Sequence, residues 1–342
     1  MSMITETSTR YLFNFSASYL GGGYKRLYEY SRWFNENGGA WFLAHKRSAD
    51  LEREFPRNRY LFQAEPMYRR LFLESRNLPE LCRNIGPLKL YYSYGLPVYH
   101  RLARVNWFHL SNVLPLAPRG IVMSPFDRLK FYVLGRRISA KLPFADIISA
   151  ESNSSLELLA GRGARKMVLS VNGSDDELRY LREGPWGDKE NVAMVIGTYR
   201  YKALDDSFRV FEMLRRKDPE LRLIVIGNEK QIPRYIKHNS AVVVKGLLAR
   251  NEVIKLLRTT RIYISTTEIE NSYNAASEGI FFAEESYISD IGPHRELLAD
   301  MIYERISVAG VATPILRVKR SGVSPGRLKT WDQVIREMIK AI

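Results

Sequence analysis

The chain has 342 residues, 45% hydrophobic and 26% charged, a composition that excludes a largely disordered protein and leaves room for two ordinary domains. Its net charge of +15 is uneven: residues 1–180 hold 26 Lys+Arg against 16 Asp+Glu and residues 181–342 hold 26 against 21, so the basic surface belongs mainly to the first half. A single cysteine, Cys82, excludes an internal disulfide and a thiolate metal cluster, while the lack of a long apolar run and of a signal-peptide plan in the polar start leads us to expect a cytoplasmic protein.

In chain order, "YLFNFSASY" (11–19) reads as a strand, Gly21, Gly22 and Gly23 as a turn, and "YKRLYEYSRWFNENGG" as a helix ended by glycine. "WFLAHK", "RYLFQA", "RVNWFHL", "DIISAE" and "KMVLSV" follow as strand candidates, with "FDRLKFYVLGRRISAKL" a helix among them. The polar "NGSDDELRYLREGPWGDKEN" (172–191) reads as a connection between domains. Beyond it the alternation sharpens: strands "VAMVIGTY", "LRLIVIGN", "AVVVKG", "RIYIST" and "SYISD" alternate with helices "DDSFRVFEMLRR", "NEVIKLLRT", "STTEIENSYNAASEG" (265–279) and "PHRELLADMI". Such alternation predicts parallel sheets with helices on both faces, hence two α/β domains, 1–180 and 181–342, with the C-terminal helix able to pack back on the first.

In open parallel sheets ligands sit beyond the carboxyl ends of the strands. "SYLGGGYKR", "FHLSNVLP", "GTYRYK" and "EIENSYNAASEG" stand at such ends. The last holds Glu270 and Glu278 with seven residues between them, directly after the fourth strand of the second half.

Together these stretches resemble the retaining glycosyltransferases of the two-domain GT-B fold, specifically family 4, whose signature is Glu, seven residues, Glu. "ARKMVLSVNGSDDE", "VIGTYRYK", "VVVKGLLARNEVIKLL" and "ISDIGPHRELL" agree with the family's segments in the expected order, and the likeness runs from about Tyr11 to Leu298. The resemblance implies two Rossmann-like domains whose parallel sheets face an interdomain cleft. It further implies a metal-independent transfer of a hexose from a nucleotide-diphosphate donor to a saccharide acceptor, with retention and no cofactor. In that scheme Glu278 accepts hydrogen bonds from the donor ribose, Glu270 lies near the donor sugar, and Arg200 and Lys202 offset the leaving diphosphate. His109, at a first-domain strand end, falls near sugar and acceptor.

The residues add their own expectations. Ser272, Tyr273, Asn274 and Ala275 would place helix N-terminal amides against the diphosphate, with Asn271, Ser272 or Asn274 as cap. At 1.5 Å per helical residue, eight residues would separate the two glutamates by roughly 12 Å. Gly197, Gly22 and Gly23 would let backbone approach the donor. Asn271, Ser272 and Tyr273 stand where the family commonly has Gly-aromatic-Gly.

The competing chemistry is that of a core histidine at His109 and solvated carboxylates at Glu270 and Glu278. The competing functions are a basic nucleic-acid-binding protein, which no zinc-finger or RNP-like pattern supports, and a nucleotide-binding GT-B protein without transferase activity. Because lipid-linked sugars are common acceptors in surface-polysaccharide assembly, the basic, aromatic segment 53–76 is a candidate for contact with an anionic membrane surface.

Overall fold

The computed structural model describes residues 11–63, 76–117, 120–163, 166–183 and 188–342. They fall into two compact units, the first built from residues up to Leu116, Leu129–Gly173 and Trp331–Ile342, the second from Ala117–Arg128 and Ser174–Thr330.

The first unit holds a seven-stranded sheet in the order β3-β2-β1-β4-β5-β6-β7. Its strands are β1 (Tyr11–Asn14), β2 (Trp41–His45), β3 (Arg59–Gln63), β4 (Leu88–Tyr94), β5 (Ala103–Leu110), β6 (Ile147–Ala150) and β7 (Lys166–Leu169). Every neighbouring pair is parallel. The central strands are covered on both faces, which is why they read as continuous aromatic and aliphatic runs rather than alternating ones. Phe13, Phe42, Tyr92 and Trp107 are completely buried, and Phe13 stacks on Phe42 at 5.3 Å between centroids. Strand β4 was not expected, because Lys89 and Ser93 interrupt "LKLYYSY". It nevertheless sits between β1 and β5, Lys89 turning its ammonium over the Tyr11 ring at 5.9 Å. The triple glycine is not a separate turn: the helix Gly21–Glu36 begins at Gly21 itself.

The second unit repeats the plan in the order β10-β9-β8-β11-β12-β14-β13. Strands β8 (Glu190–Ile196), β9 (Arg222–Ile226), β10 (Val242–Val244), β11 (Thr260–Ser265) and β12 (Glu285–Ser289) are parallel. The last two, β13 (Tyr303–Ile306) and β14 (Ile315–Lys319), run antiparallel, so this sheet is mixed where a purely parallel one was expected. A short connection links β13 to β14, which suits an antiparallel pair and leaves no room for a crossover helix. The core is aliphatic and aromatic, with Val195, Phe211, Leu223, Ile264 and Ile315 packed together. The polar stretch after β7 is not wholly a connection either, since Asp175–Glu183 forms a helix.

Among the described residues no helix is long and apolar enough to cross a membrane. In the segment proposed for lipid contact, Arg69 and Arg70 lie outside the described residues. Of its described aromatics, Phe55 and Tyr60 are buried in the first unit and serve its core, so they do not face lipid.

Candidate functional site

In the second sheet β8 and β11 are neighbours, yet the chain leaves β8 toward β9 on one side and β11 toward β12 on the other. That is a topological switch point, where the loops after the two strands diverge and leave a crevice at their carboxyl ends. The loop after β8 carries Gly197, Arg200 and Lys202, and the loop after β11 carries Glu270 to Tyr273.

Backbone and hydroxyl bonds clamp the two loops together. Tyr201 O accepts from the Glu268 amide at 2.8 Å and the Thr267 hydroxyl at 3.2 Å, and the Thr266 hydroxyl donates to Ala203 O at 2.8 Å. Ala203, with φ 46°, is the non-glycine residue held in the left-handed region among those described, a strain of order 1–2 kcal/mol that such clamping offsets. The result is an ion pair between the Lys202 ammonium and the Glu270 carboxylate, with the two side chains 14% and 21% exposed. Burial would lower the Lys202 pKa, but the Glu270 charge and hydrogen bond outweigh it and raise it above the ordinary lysine value. Gly197, at φ +93°, lies under the lysine stem, whose Cε would be 3.4 Å from an added Cβ. Arg200 is exposed, so the two cations of "GTYRYK" have different surroundings.

The helix Asn274–Phe282 starts after Glu270, not at it. The two glutamates therefore do not share one helix, and the expected rise of roughly 12 Å along a helix axis does not describe them. The break falls at "NSY", where Ser272 accepts from the Asn274 amide at 3.4 Å and Tyr273 stands at the cap position without a side-chain capping bond. The first helical bond is Ser277 N–H to Tyr273 O at 2.7 Å, which leaves the amides of Asn274, Ala275 and Ala276 without helical acceptors. Asn271 and Tyr273 are buried, while Ser272, Asn274 and Ala275 are half-buried at the open end.

Glu278 lies one turn further on, its side chain 12% exposed and held by Arg250, the first residue of the helix Arg250–Thr259. The other guanidinium nitrogen of Arg250 reaches Asp176 at 3.0 Å. The sequence reading passed over Arg250, although its place at a helix start after "KGLLA" made it a candidate.

His294 is a second residue that reading left aside. It is 1% exposed on the helix Gly292–Leu297, its Nδ1 is 2.7 Å from Ser289 O, and it feels the charges of Glu270 and Lys202. Burial, the largest effect, pushes its pKa down to about 4. The Gly-Pro-His run directly after a strand was the available signal.

In the first unit His109, at the end of β5, is completely buried and both ring nitrogens have partners: Nδ1 with Ser149 Oγ at 2.8 Å and Nε2 with Glu151 Oε1 at 3.4 Å. Tyr94 stacks on the ring at 5.0 Å and donates its hydroxyl to Glu151 at 3.1 Å. Beneath them lies Arg26, also completely buried, 3.7 Å from Glu151 and bonded to the carbonyls of Ser170 and Val171 at 2.9 Å. Burial and the Arg26 charge push His109 down to about 4. Burial would raise Glu151, yet the His109 bond and the Arg26 charge leave it below the usual carboxylate range. Arg26 stands where a dinucleotide fingerprint beginning at Gly21 would require its third glycine, and the structure uses that position for a buried cation instead. Gly22 has open space where a Cβ would be, whereas at Gly23 a Cβ would meet Ser18 and Tyr94 at 3.1 and 3.2 Å.

The buried histidines give a pH dependence with a definite sign. The unfolded chain takes up a proton near pH 6.5 at each site, while the folded sites at His109 and His294 take one up only near 4. Between those values the unfolded state binds more protons, so stability falls as pH drops from about 6.5 to about 4, by about 3 kcal/mol for His294. Denaturant titrations across that window should show the acid limb, and His294→Gln should flatten the part belonging to the second unit. An equally steep limb in that variant would show that the imidazole does not titrate as its burial implies.

No family model and no curated protein matches the sequence. Solved structures do match. A sucrose-phosphate synthase from Thermosynechococcus elongatus superposes with a TM-score of 0.61 over 98% of each chain at 12% identity. A glycosyltransferase from Rickettsia africae gives 0.60 at 14% identity, covering 86% of this chain and 82% of that one. The Anabaena protein HepE, solved in complex with UDP and glucose, gives 0.55 at 16% identity over 84% and 82%. The fold is GT-B. The first sheet is wholly parallel and the second is parallel from β10 to β12, and the Lys202–Glu270 pair lies at the switch point of the second.

Proposed function

We propose that this GT-B chain is a retaining, metal-independent glycosyltransferase of the family 4 kind, moving a hexose from a nucleoside-diphosphate sugar to a saccharide acceptor. The observation that carries the reading is the meeting of Lys202 and Glu270 beside the open N-terminus of the helix Asn274–Phe282. A diphosphate leaving group needs positive potential rather than a proton donated by the protein, and a lysine, an arginine and helix amides without helical acceptors supply it. HepE, crystallised with UDP and glucose, supports the donor class.

In the proposed reaction the anomeric C–O bond to the diphosphate breaks while the acceptor hydroxyl forms its bond on the same face. The hydroxyl proton passes to the departing diphosphate oxygen. Lys202, Arg200 and the amides of Asn274 and Ala275 stabilise that oxygen, with Ser272 and Tyr273 shaping the turn that presents them. Glu270 orients Lys202 and borders the donor sugar, and Glu278 accepts from the ribose hydroxyls. In the second unit Gly197 makes room for the Lys202 stem; in the first, Gly22 faces open space and Gly23 packs on Ser18 and Tyr94. His109, having no exposed ring edge, acts in this scheme through Glu151 and Tyr94 as a positioning residue. The acceptor we propose is a lipid-linked saccharide met in the cytoplasm during polysaccharide assembly, consistent with the basic charge of the first half.

Glu278→Ala tests the donor site. Arg250 keeps Asp176 as a partner, so the fold should survive, while nucleoside diphosphate affinity should weaken by roughly 1–3 kcal/mol. Calorimetry with UDP in excess EDTA measures both this loss and the wild-type binding. Wild-type affinity that appears only on adding Mg²⁺ would remove the proposed anion site, and unchanged affinity in the variant would remove Glu278 from it.

A further inference from the structure

A soluble helix turns its polar face outward. The helix Pro125–Lys141 departs from this, carrying apolar residues on its outer side as well as its inner one: Phe126 is 77% exposed, Leu129 64%, Tyr132 63% and Val133 41%, while Ile138 is buried. At 100° per residue these four, with Arg136 and Ala140, fall on one side of the helix. Only Gly135 and Ile138 of the helix are buried. The orientation is fixed, because a Cβ at Gly135 would lie 2.1 Å from Pro115 O, so this edge of the helix must remain against the backbone. The helix start is fixed too, Ser124 accepting from the Asp127 amide at 3.1 Å and donating to its carboxylate at 2.7 Å.

Positive charge lies on this side, at Arg136, and along its edges. Residues 125–141 contain Arg128, Lys130, Arg136, Arg137 and Lys141 against the single acid Asp127. Exposed aromatic and aliphatic side chains flanked by cations match the boundary between acyl chains and anionic headgroups, where rings and stems enter the apolar layer and cations meet phosphate. Burial against a neutral protein surface would satisfy the apolar groups and take the exposed Arg128 and Arg136 out of water without an anion to meet them.

We propose that the helix Pro125–Lys141 docks the protein on an anionic lipid surface, lying in the interface with Phe126, Leu129, Tyr132 and Val133 inserted. This is independent of the transfer chemistry proposed above, since its readout is lipid binding and a failure of either leaves the other standing.

The test is vesicle flotation of the full chain, using phosphatidylcholine alone and phosphatidylcholine mixed with an equal part of phosphatidylglycerol. The wild type should float with the mixed vesicles and not with the neutral ones, and added salt should weaken it. Leu129→Ser/Tyr132→Ser should lower affinity for the mixed vesicles by about tenfold or more, as should Arg128→Glu/Arg136→Glu, both with wild-type melting temperatures because the changed residues are exposed. Wild-type protein that ignores the mixed vesicles at low salt overturns the proposal, as does equal flotation of wild type and both variants. So does a wild-type dimer in size-exclusion chromatography that the serine pair converts to monomer, which would assign the face to a second copy of the chain.

Discussion

Lys202→Ala is expected to lower the turnover of sugar transfer by roughly 100- to 1000-fold, the loss that follows removal of one preorganised group facing charge that develops in the transition state. The ammonium sits in a nearly closed position, its stem along Gly197 and its charge against Glu270, so little water can replace it when the diphosphate leaves. Folding should survive, because Glu270 retains enough exposure to be hydrated and the loop clamps at Tyr201 O and Ala203 O involve no lysine atom. Nucleoside diphosphate affinity should fall far less than turnover, since the interaction is strongest with the departing charge. Lys202→Arg should recover little: the planar fork is larger than the ammonium, and the stem already lies 3.4 Å from the Cβ position of Gly197. Turnover within a few-fold of the wild type in the alanine variant would take Lys202 out of the proposed machinery.

The largest effect on stability is expected at Arg26. Arg26→Met preserves the stem's volume but strips the buried cation from Ser170 O, Val171 O, Asn172 Oδ1 and the Tyr92 hydroxyl, and leaves Glu151 buried with only His109 and Tyr94. Breaking a buried ion pair by removing one partner costs about 3–5 kcal/mol, chiefly because the remaining charge is uncompensated. The loss should appear as a lower denaturation midpoint of the first unit. His109 is held down partly by the Arg26 charge, so in the variant its pKa should rise, an effect that NMR of the imidazole would follow. Removing the stranded charge as well, in Arg26→Met/Glu151→Gln, should recover part of the stability, so the double change costs less than the sum of the two singles. Additive losses would show that Arg26 and Glu151 are not coupled across their 3.7 Å separation.

The sequence by itself determined the class of fold. Buried parallel strands must be apolar on both faces, so "VAMVIG", "LRLIVIG" and "RIYIST" were legible as strands without any knowledge of their partners. The spacing of Glu270 and Glu278 after a strand end marked the loop proposed here as functional, because chain order alone places it at a carboxyl edge. What a local pattern cannot carry is pairing between segments distant in sequence. Strand β4 hid behind Lys89 and Ser93 because its identity depends on lying between β1 and β5, and the antiparallel β13–β14 pair is a product of sheet register, not of composition.

The site divides the same way. Residue types at Lys202, Glu270 and Glu278 were visible, but only the switch point between β8 and β11 joins the lysine to a glutamate 68 residues later. Only the tertiary structure sets Arg250 against Glu278, brings His294 within the field of the Lys202–Glu270 pair, and buries His109 with both nitrogens engaged. Charge and exposure are properties of surroundings, and an ionisable side chain acquires its pKa from neighbours that the one-dimensional order does not name.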